Sequence, residues 1–390
     1  MISVAQALDH LFALVSPLPV EEVPLRQANG RVLGAEVCAR RTQPPFDASA
    51  MDGYAVKGVE VERDALFKVV GEAAAGHGWS GTLRAGHAVR IFTGAPLPAG
   101  ADHIVIQEDV TRRDDLITIT ADRGSQSHVR KAGIDFAEGD VVAAPRRLGA
   151  PEVALLAAMN VAVIPARRKP VVALISTGDE LVVPGEAPGP DQIVASNTFG
   201  LAAMLERIGA EPRLLPIARD NPASVKMALD LAAKSDLIVT IGGASVGDHD
   251  IVADVAEDHG LDQSFYKIAM RPGKPLMAGK LGDTPMIGLP GNPVSALVCG
   301  TVFLAPVIRV MLGFPPAPTP RREMPLSTPL SANGPREHYM RGISDQGAVR
   351  DAGPQDSSLL RVLAASNVLI VRPPHDVARD TGERVEIIDL

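Results

Sequence analysis

The chain has 390 residues, too many for one ordinary compact core, so at least two domains are expected. With 38 Lys plus Arg against 46 Asp plus Glu, the net charge of −8 has the wrong sign for general attraction to nucleic-acid phosphates or an anionic membrane. One Trp, three Tyr and nine Phe leave few platforms for stacking bases, so cores must be built from Val, Ile, Leu and Ala.

Met1 to Val15 carries Asp9 and His10 inside an apolar stretch and has no basic leader, which argues against a signal peptide and for an amphipathic helix capped by Ser3. Between residues 41 and 145 the pattern changes to short β-rich runs, at 67–70, 89–92, 103–107 and 116–120, separated by Gly, Pro and Asp turns. An all-β insertion follows, flanked by 1–40 and 146–168 as one small, discontinuous, mixed N-terminal domain. Residues 151–159 read as a helix opened by Pro151, and 161–164 as a strand rejoining the N-terminal piece. The apolar stretch 153–165 is broken by Asn160 and is shorter than the ~20 residues a bilayer requires, so no membrane segment is expected.

From Lys169 the rhythm becomes strand then helix. The near-continuous apolar run 171–175 suits a parallel strand covered on both faces. A helix at 197–208, a strand at 213–218, a helix at 222–234, a strand at 236–241, a helix at 251–259 and a strand at 284–289 come next, before a long helix at 293–312. This alternation predicts a doubly wound α/β domain over 169–313. Residues 314–322 hold four prolines and form a stiff linker, after which 321–390 read as a small C-terminal β domain. Multidomain α/β plus β is the expected fold class. Cys38 and Cys299 are far apart in sequence, with neither a disulfide framework nor metal-ligand spacing, which fits a reducing cytoplasm, and none of the nine histidines forms a metal pair.

Glycine and proline, at 36 and 33 residues, exceed their usual shares of about 7 % and about 5 %, and they concentrate in a few turns. Gly242-Gly-Ala-Ser-Val-Gly247 joins a buried strand to a helix, where backbone N–H groups and the helix dipole favour an anion. A plain strand-to-helix turn would need the same glycines. The segment also matches the Gly-x-Ser-x-Gly of a serine hydrolase, with Ser245 as nucleophile, Asp283 as acid and His338 or His375 as base, although both histidines lie beyond the linker. Asp179, Glu180, Asp220, Asp248 and Asp250 follow predicted strand ends, where ligands of open α/β sheets bind, and carboxylates beside a phosphate turn suit Mg²⁺; helix capping explains any one of them equally. Lys267, Arg271 and Lys274 surround a stiff Pro-Gly turn and form an anion clamp, set against the plainer reading of solvated surface charge. Gly288-Leu-Pro-Gly-Asn-Pro-Val-Ser295 makes a second anion-binding turn at a helix start. Asp47, Asp52 and Thr93 lie in dense turns of the β insertion that turn chemistry alone could explain.

Together, residues 45–56, Thr93-Gly-Ala-Pro96, Ser176-Thr-Gly-Asp-Glu-Leu181, Gly242-Gly-Ala-Ser-Val-Gly-Asp248, Arg271-Pro-Gly-Lys-Pro275 and Gly288-Leu-Pro-Gly-Asn-Pro-Val-Ser295 resemble, in order and across the whole chain, the molybdopterin molybdenumtransferase family of MoeA and gephyrin E-domain type. The resemblance implies an elongated homodimer with a MogA-like α/β domain. It also implies Mg²⁺-assisted cleavage of adenylylated molybdopterin, with insertion of molybdate at the dithiolene and release of AMP. By the same resemblance the functional residues are Asp52, Thr93, Asp135, Glu180, Asp220 and Asp250, with Glu180, Asp220 and Asp250 placed at the metal. The substrate would be held by Ser176, Thr177, Gly242, Gly243, Ser245, Gly247, Pro290, Asn292, Pro293 and Ser295, and molybdate by Lys267, Arg271 and Lys274. Arg271 stands where many members have Lys, and Ala244 where Val is common. Because Asp52 and Thr93 are remote in sequence from the α/β turns, a shared site is expected to take them from the partner subunit. The adenylyltransferase that supplies the substrate is a candidate partner, whereas a gephyrin-like scaffold role lacks any long disordered linker or docking stretch here.

Overall fold

The computed structural model describes residues 1–122, 124–243 and 251–390. Its centre is a six-stranded sheet in the order Glu211–Leu214, Val171–Ser176, Leu237–Ile241, Thr284–Leu289, Met277–Leu281, Leu261–Tyr266. The first four strands are parallel, and Met277–Leu281 runs antiparallel to both of its neighbours. Alternate residues of the apolar strands enter opposite cores, as the two-residue repeat of a strand demands. Val172 and Leu174 pack with the helix Asn197–Ile208 and with residues 293–311, whereas Ala173 and Ile175 pack with Pro222–Ala232 and Ile251–Asp258. All four are completely buried, which explains the unbroken apolar run.

The edge strand is shorter than the expected 213–218, ending at Leu214. Pro216 has no N–H to continue the ladder, yet Leu215 and Ala218 still donate to Leu174 and Ser176, so the chain tracks the sheet edge. The long helix is also interrupted: Pro293–Cys299 and Ala305–Met311 flank a π-helical turn at Gly300–Leu304. Pro306 cannot donate to the carbonyl five residues back, that of Thr301, and the Thr319 hydroxyl in the proline-rich linker fills the vacancy at 2.6 Å. Pro293–Met311, not 153–165, is the stretch long and apolar enough to span a bilayer among the described residues, but 78 % of it is buried inside the protein.

Val20–Pro24, Val163–Arg167, Val32–Leu33 and Arg146–Arg147 form a four-stranded antiparallel sheet, so the chain leaves for the insertion and returns through neighbouring strands. The helix Ala150–Ala158 packs on this sheet through Leu156. The first helix, Val4–Leu14, closed by the Ser3–Gln6 capping box, instead buries Val4, Ala7, Leu8 and Leu11 in the core of the α/β sheet. The insertion holds a six-stranded sheet, His103–Ile106, Gly53–Val56, His87–Ile91, Leu66–Ala73, Leu116–Ile119, Val110–Arg113, with Tyr54 and Val56 facing one apolar cluster and Ala55 the other.

The C-terminal sheet runs Met270–Arg271, Glu337–Asp345, Val368–Arg372, Arg384–Asp389, Arg322–Pro325. Its first member comes from the α/β segment of the chain, so the turn that carries Arg271 is stitched in parallel register to Glu337 and His338.

Candidate functional site

A cleft of about 860 Å³ opens at the carboxyl ends of Val171–Ser176, Leu237–Ile241 and Thr284–Leu289. This is where side-chain-free backbone groups and helix N-termini converge in a doubly wound sheet. Ser176, Thr177, Glu180, Asp220, Gly242, Gly243, Pro290, Asn292 and Pro293 all line it. Residues picked out in the sequence from four separate segments are thus brought together.

Glycine is obligatory at the centre of this cleft. Gly242 and Gly243 have φ of +93° and +67°, and a Cβ on Gly242 would lie 2.8 Å from the Thr177 carbonyl oxygen. On Gly243 it would lie 2.3 Å from Val252 Cγ2. The structural and the ligand-binding explanations therefore both hold: the glycines let two strand ends approach, and that approach forms the cleft wall. The Thr177 hydroxyl is buried beside both glycines and has no hydrogen-bond partner among the described residues.

Glu180 and Asp220 are exposed at the rim. Their loops are locked together by reciprocal bonds: Asp179 N–H donates to Asp220 Oδ2 at 3.3 Å, and Asp220 N–H to Asp179 Oδ1 at 3.1 Å. Arg219 reinforces the lock by donating to the carbonyls of Asp179 and Leu181 at 3.0 and 3.2 Å. Among the described residues neither Glu180 nor Asp220 enters an ion pair, and no group of three or more His, Cys, Asp or Glu is arranged to hold a metal. Mg²⁺ needs only one or two protein carboxylates beside phosphate oxygens, so the hard oxygen donors of Glu180 and Asp220 fit that ion.

Asn197, Gly178 and Ser358 also line the cleft and were not anticipated. Asn197 donates from its amide to Gly291 O at 2.7 Å, fixing the second turn. Asn292 donates to Ser357 Oγ at 3.2 Å, which draws a C-terminal segment to the rim. No local pattern marks Ser358, whereas Asn197 and Gly178 sit inside motif and helix-start positions that could have been read. Ser295 is buried at 4 % exposure and does not line the cleft. Asp250, Ser245 and Gly247 lie outside the described residues.

Lys267, Arg271 and Lys274 do not line the cleft either; their loop reaches it through Pro275. The loop closes on itself through Ile268 N–H to Lys274 O at 3.0 Å and Lys267 N–H to Leu276 O at 3.1 Å. Lys267 takes φ +88°, a left-handed conformation uncommon for a side-chain-bearing residue, and its Nζ lies 5.0 Å from the Tyr266 ring centroid. His338, across the ladder from Arg271, is pushed down to about 4 by burial and by Arg271, Arg341, Arg372 and Arg336. The imidazole is therefore neutral beside the guanidiniums, of which Arg372 is itself paired with Asp376.

Asp52 and Thr93 meet within the insertion. Thr93 donates to Asp52 Oδ1 from its N–H at 2.8 Å and from its hydroxyl at 2.9 Å. These two bonds, with a smaller contribution from Arg90, hold the Asp52 carboxyl below its ordinary range, so it is a carboxylate. Asp135 is exposed in the neighbouring segment, which is tied down by the Lys131–Asp47 ion pair at 2.8 Å. None of Asp52, Thr93 and Asp135 lines the α/β cleft.

The fold and cleft define a multidomain α/β protein with a ligand site at the carboxyl edge of a doubly wound sheet, adjoined by a cationic loop. Residues 2–160 match the MoeA N-terminal region (domain I and II), 173–310 a probable molybdopterin binding domain, and 323–390 the MoeA C-terminal region (domain IV). Over 384 residues the chain is 38 % identical to molybdopterin molybdenumtransferase 2 of Mycobacterium tuberculosis, covering 94 % of each chain. It is 36 % identical to the molybdopterin molybdenumtransferase of Nostoc sp., covering 100 % of this chain and 94 % of that one. The crystal structure of the molybdopterin biosynthesis moeA protein from Pyrococcus horikoshii OT3 superposes with a TM-score of 0.86 at 25 % identity, covering 100 % of both chains. The chain belongs to the MoeA family.

Proposed function

We propose that the protein is a molybdopterin molybdenumtransferase, which cleaves adenylylated molybdopterin at its phosphoanhydride and inserts molybdate at the dithiolene, releasing AMP. The observation that carries the reading is the cleft itself: glycine turns and helix starts able to take phosphates face the carboxylates of Glu180 and Asp220. Ser176, Thr177, Gly242, Gly243 and the Pro290–Pro293 turn would hold the pterin phosphate and nucleotide. Lys267, Arg271 and Lys274 would collect the molybdate dianion, for which the Arg271 guanidinium offers a planar fork. Glu180 and Asp220 would hold Mg²⁺, which when bound supplies charge neutralisation at the anhydride.

Asp52, Thr93 and Asp135 then serve the cleft of a second subunit in a homodimer. Their absence from the lining of their own chain's cleft supports this, as do the exposed apolar side chains of Phe46 and Met51 in the segment leading to Asp52, at 40 % and 42 % exposure. The unpaired Cys38 and Cys299 support a reducing, cytoplasmic setting. An adenylyltransferase partner rests on the family resemblance alone.

Incubation of the purified protein with adenylylated molybdopterin, molybdate and Mg²⁺ is expected to release AMP in step with loss of the adenylylated substrate. Absence of AMP refutes the reading. Hydrolysis of a simple ester that disappears in Ser245→Ala would instead revive the serine-hydrolase alternative.

A further inference from the structure

Asp52 and Thr93 are held from behind by a side chain that no motif marked. Arg90 stands on the strand His87–Ile91, with its guanidinium carbon 5.1 Å from the Tyr54 ring centroid and 4.7 Å from that of Phe92. One terminal nitrogen donates to the Gly53 carbonyl at 3.2 Å and the other to Gln107 Oε1 at 2.7 Å. The N–H of Gln107 in turn donates to the Asp52 carbonyl at 3.1 Å. The carbonyls of residues 52 and 53 are thus both engaged, one by Arg90 and the other by the residue that Arg90 grips.

The aromatic walls of this socket flank the reactive pair in sequence. Phe92 immediately precedes Thr93, and Tyr54 follows Asp52 by two positions. An arginine stacked on both rings therefore couples the turn that carries the carboxylate to the turn that carries the hydroxyl. Among the described residues Arg90 enters no ion pair within 4 Å, so its charge is not consumed by a surface partner. A flexible lysine could keep that charge and the ring contact, but not both fixed bonds of the fork.

We propose that Arg90 is a positioning residue for the transferase reaction, holding the Asp52 carboxylate and the Thr93 hydroxyl in one fixed orientation toward the substrate. The proposal rests on the reading that Asp52 and Thr93 serve the reaction. Arg90 itself touches no reacting atom in this assignment; it acts through Asp52.

The test follows AMP release from adenylylated molybdopterin with molybdate and Mg²⁺, using the full-length protein as wild type, Arg90→Met, Arg90→Lys, Asp52→Asn and the Arg90→Met/Asp52→Asn double variant. Arg90→Met is expected to lower kcat by roughly 10- to 100-fold with KM nearly unchanged, the scale set by a misplacement of about 1 Å. Arg90→Lys is expected to recover part of that loss. In the Asp52→Asn background, Arg90→Met is expected to cost nothing further, because residues acting as a unit are non-additive. A merely structural role would give multiplicative losses in the double variant; that result, or a full-rate Arg90→Met, overturns the proposal. Full activity of Asp52→Asn overturns the underlying reading instead. Should Arg90→Met not fold, Gln107→Leu replaces it on an exposed position, with a several-fold kcat loss expected only when Asp52 is intact; an unchanged kcat there overturns the proposal.

Discussion

Replacing Gly242 with alanine tests the geometry of the cleft at its tightest point. The substitution adds a Cβ 2.8 Å from the Thr177 carbonyl oxygen and 3.0 Å from its hydroxyl, and does so at φ +93°. The backbone conformation alone costs a side-chain-bearing residue about 1–3 kcal/mol. The close contact is with backbone, which cannot swing away, so the turns at residues 177 and 242 must separate by several tenths of an ångström. Gly260 supplies the comparison, because it has φ +87° and no atom within 4 Å of where an added Cβ would sit. Gly260→Ala therefore bears the conformational cost only. Chemical denaturation should show Gly242→Ala to be less stable than Gly260→Ala by at least about 1 kcal/mol, the scale of overpacking a tight site. AMP release should fall by roughly 100-fold in Gly242→Ala, because Thr177 forms part of the cleft wall, and remain near wild type in Gly260→Ala. Equal stability and undiminished AMP release in the two variants would refute the argument that close backbone approach shapes the site.

Thr319→Val leaves the part-buried Thr301 carbonyl without its 2.6 Å donor and should lower stability by about 0.5–1.5 kcal/mol, read from the denaturation midpoint. Arg271→Ala should raise the KM for molybdate several-fold while leaving the affinity for adenylylated molybdopterin within about twofold, measured by AMP release at varied molybdate. His338 is held down to about 4 from 6.5, chiefly by burial and then by its neighbouring arginines. Between those pH values the unfolded chain takes up a proton that the folded chain refuses, so this contribution is complete above about pH 6.5 and declines as pH falls. The loss reaches roughly 3 kcal/mol near pH 4, and His338→Gln should remove that part of the pH dependence of unfolding.

The amino-acid sequence alone determined the local devices of this protein. The run 171–175 had to be a covered strand because every residue is apolar, and glycine pairs and proline-stiffened turns at strand ends marked the cleft through local backbone chemistry alone. Those features depend on neighbours a few residues away, and backbone sterics and side-chain alternation suffice to read them. Tertiary structure decided which local devices share a site. It brought Ser176, Glu180, Asp220, Gly242 and Asn292 to one cleft, and it left Asp52 and Thr93 in a separate pair within the insertion. It carried Met270–Arg271 onto the C-terminal sheet and sent the helix Val4–Leu14 to the α/β core instead of to the Ala150–Ala158 helix. Arg90 and Arg219 gained their roles only there, since an arginine in a strand or beside an acid carries no local signal of the carbonyls it will grip. The physical reason is that such placements arise from the summed burial of apolar faces and the satisfaction of backbone groups across the whole chain, which no single segment encodes.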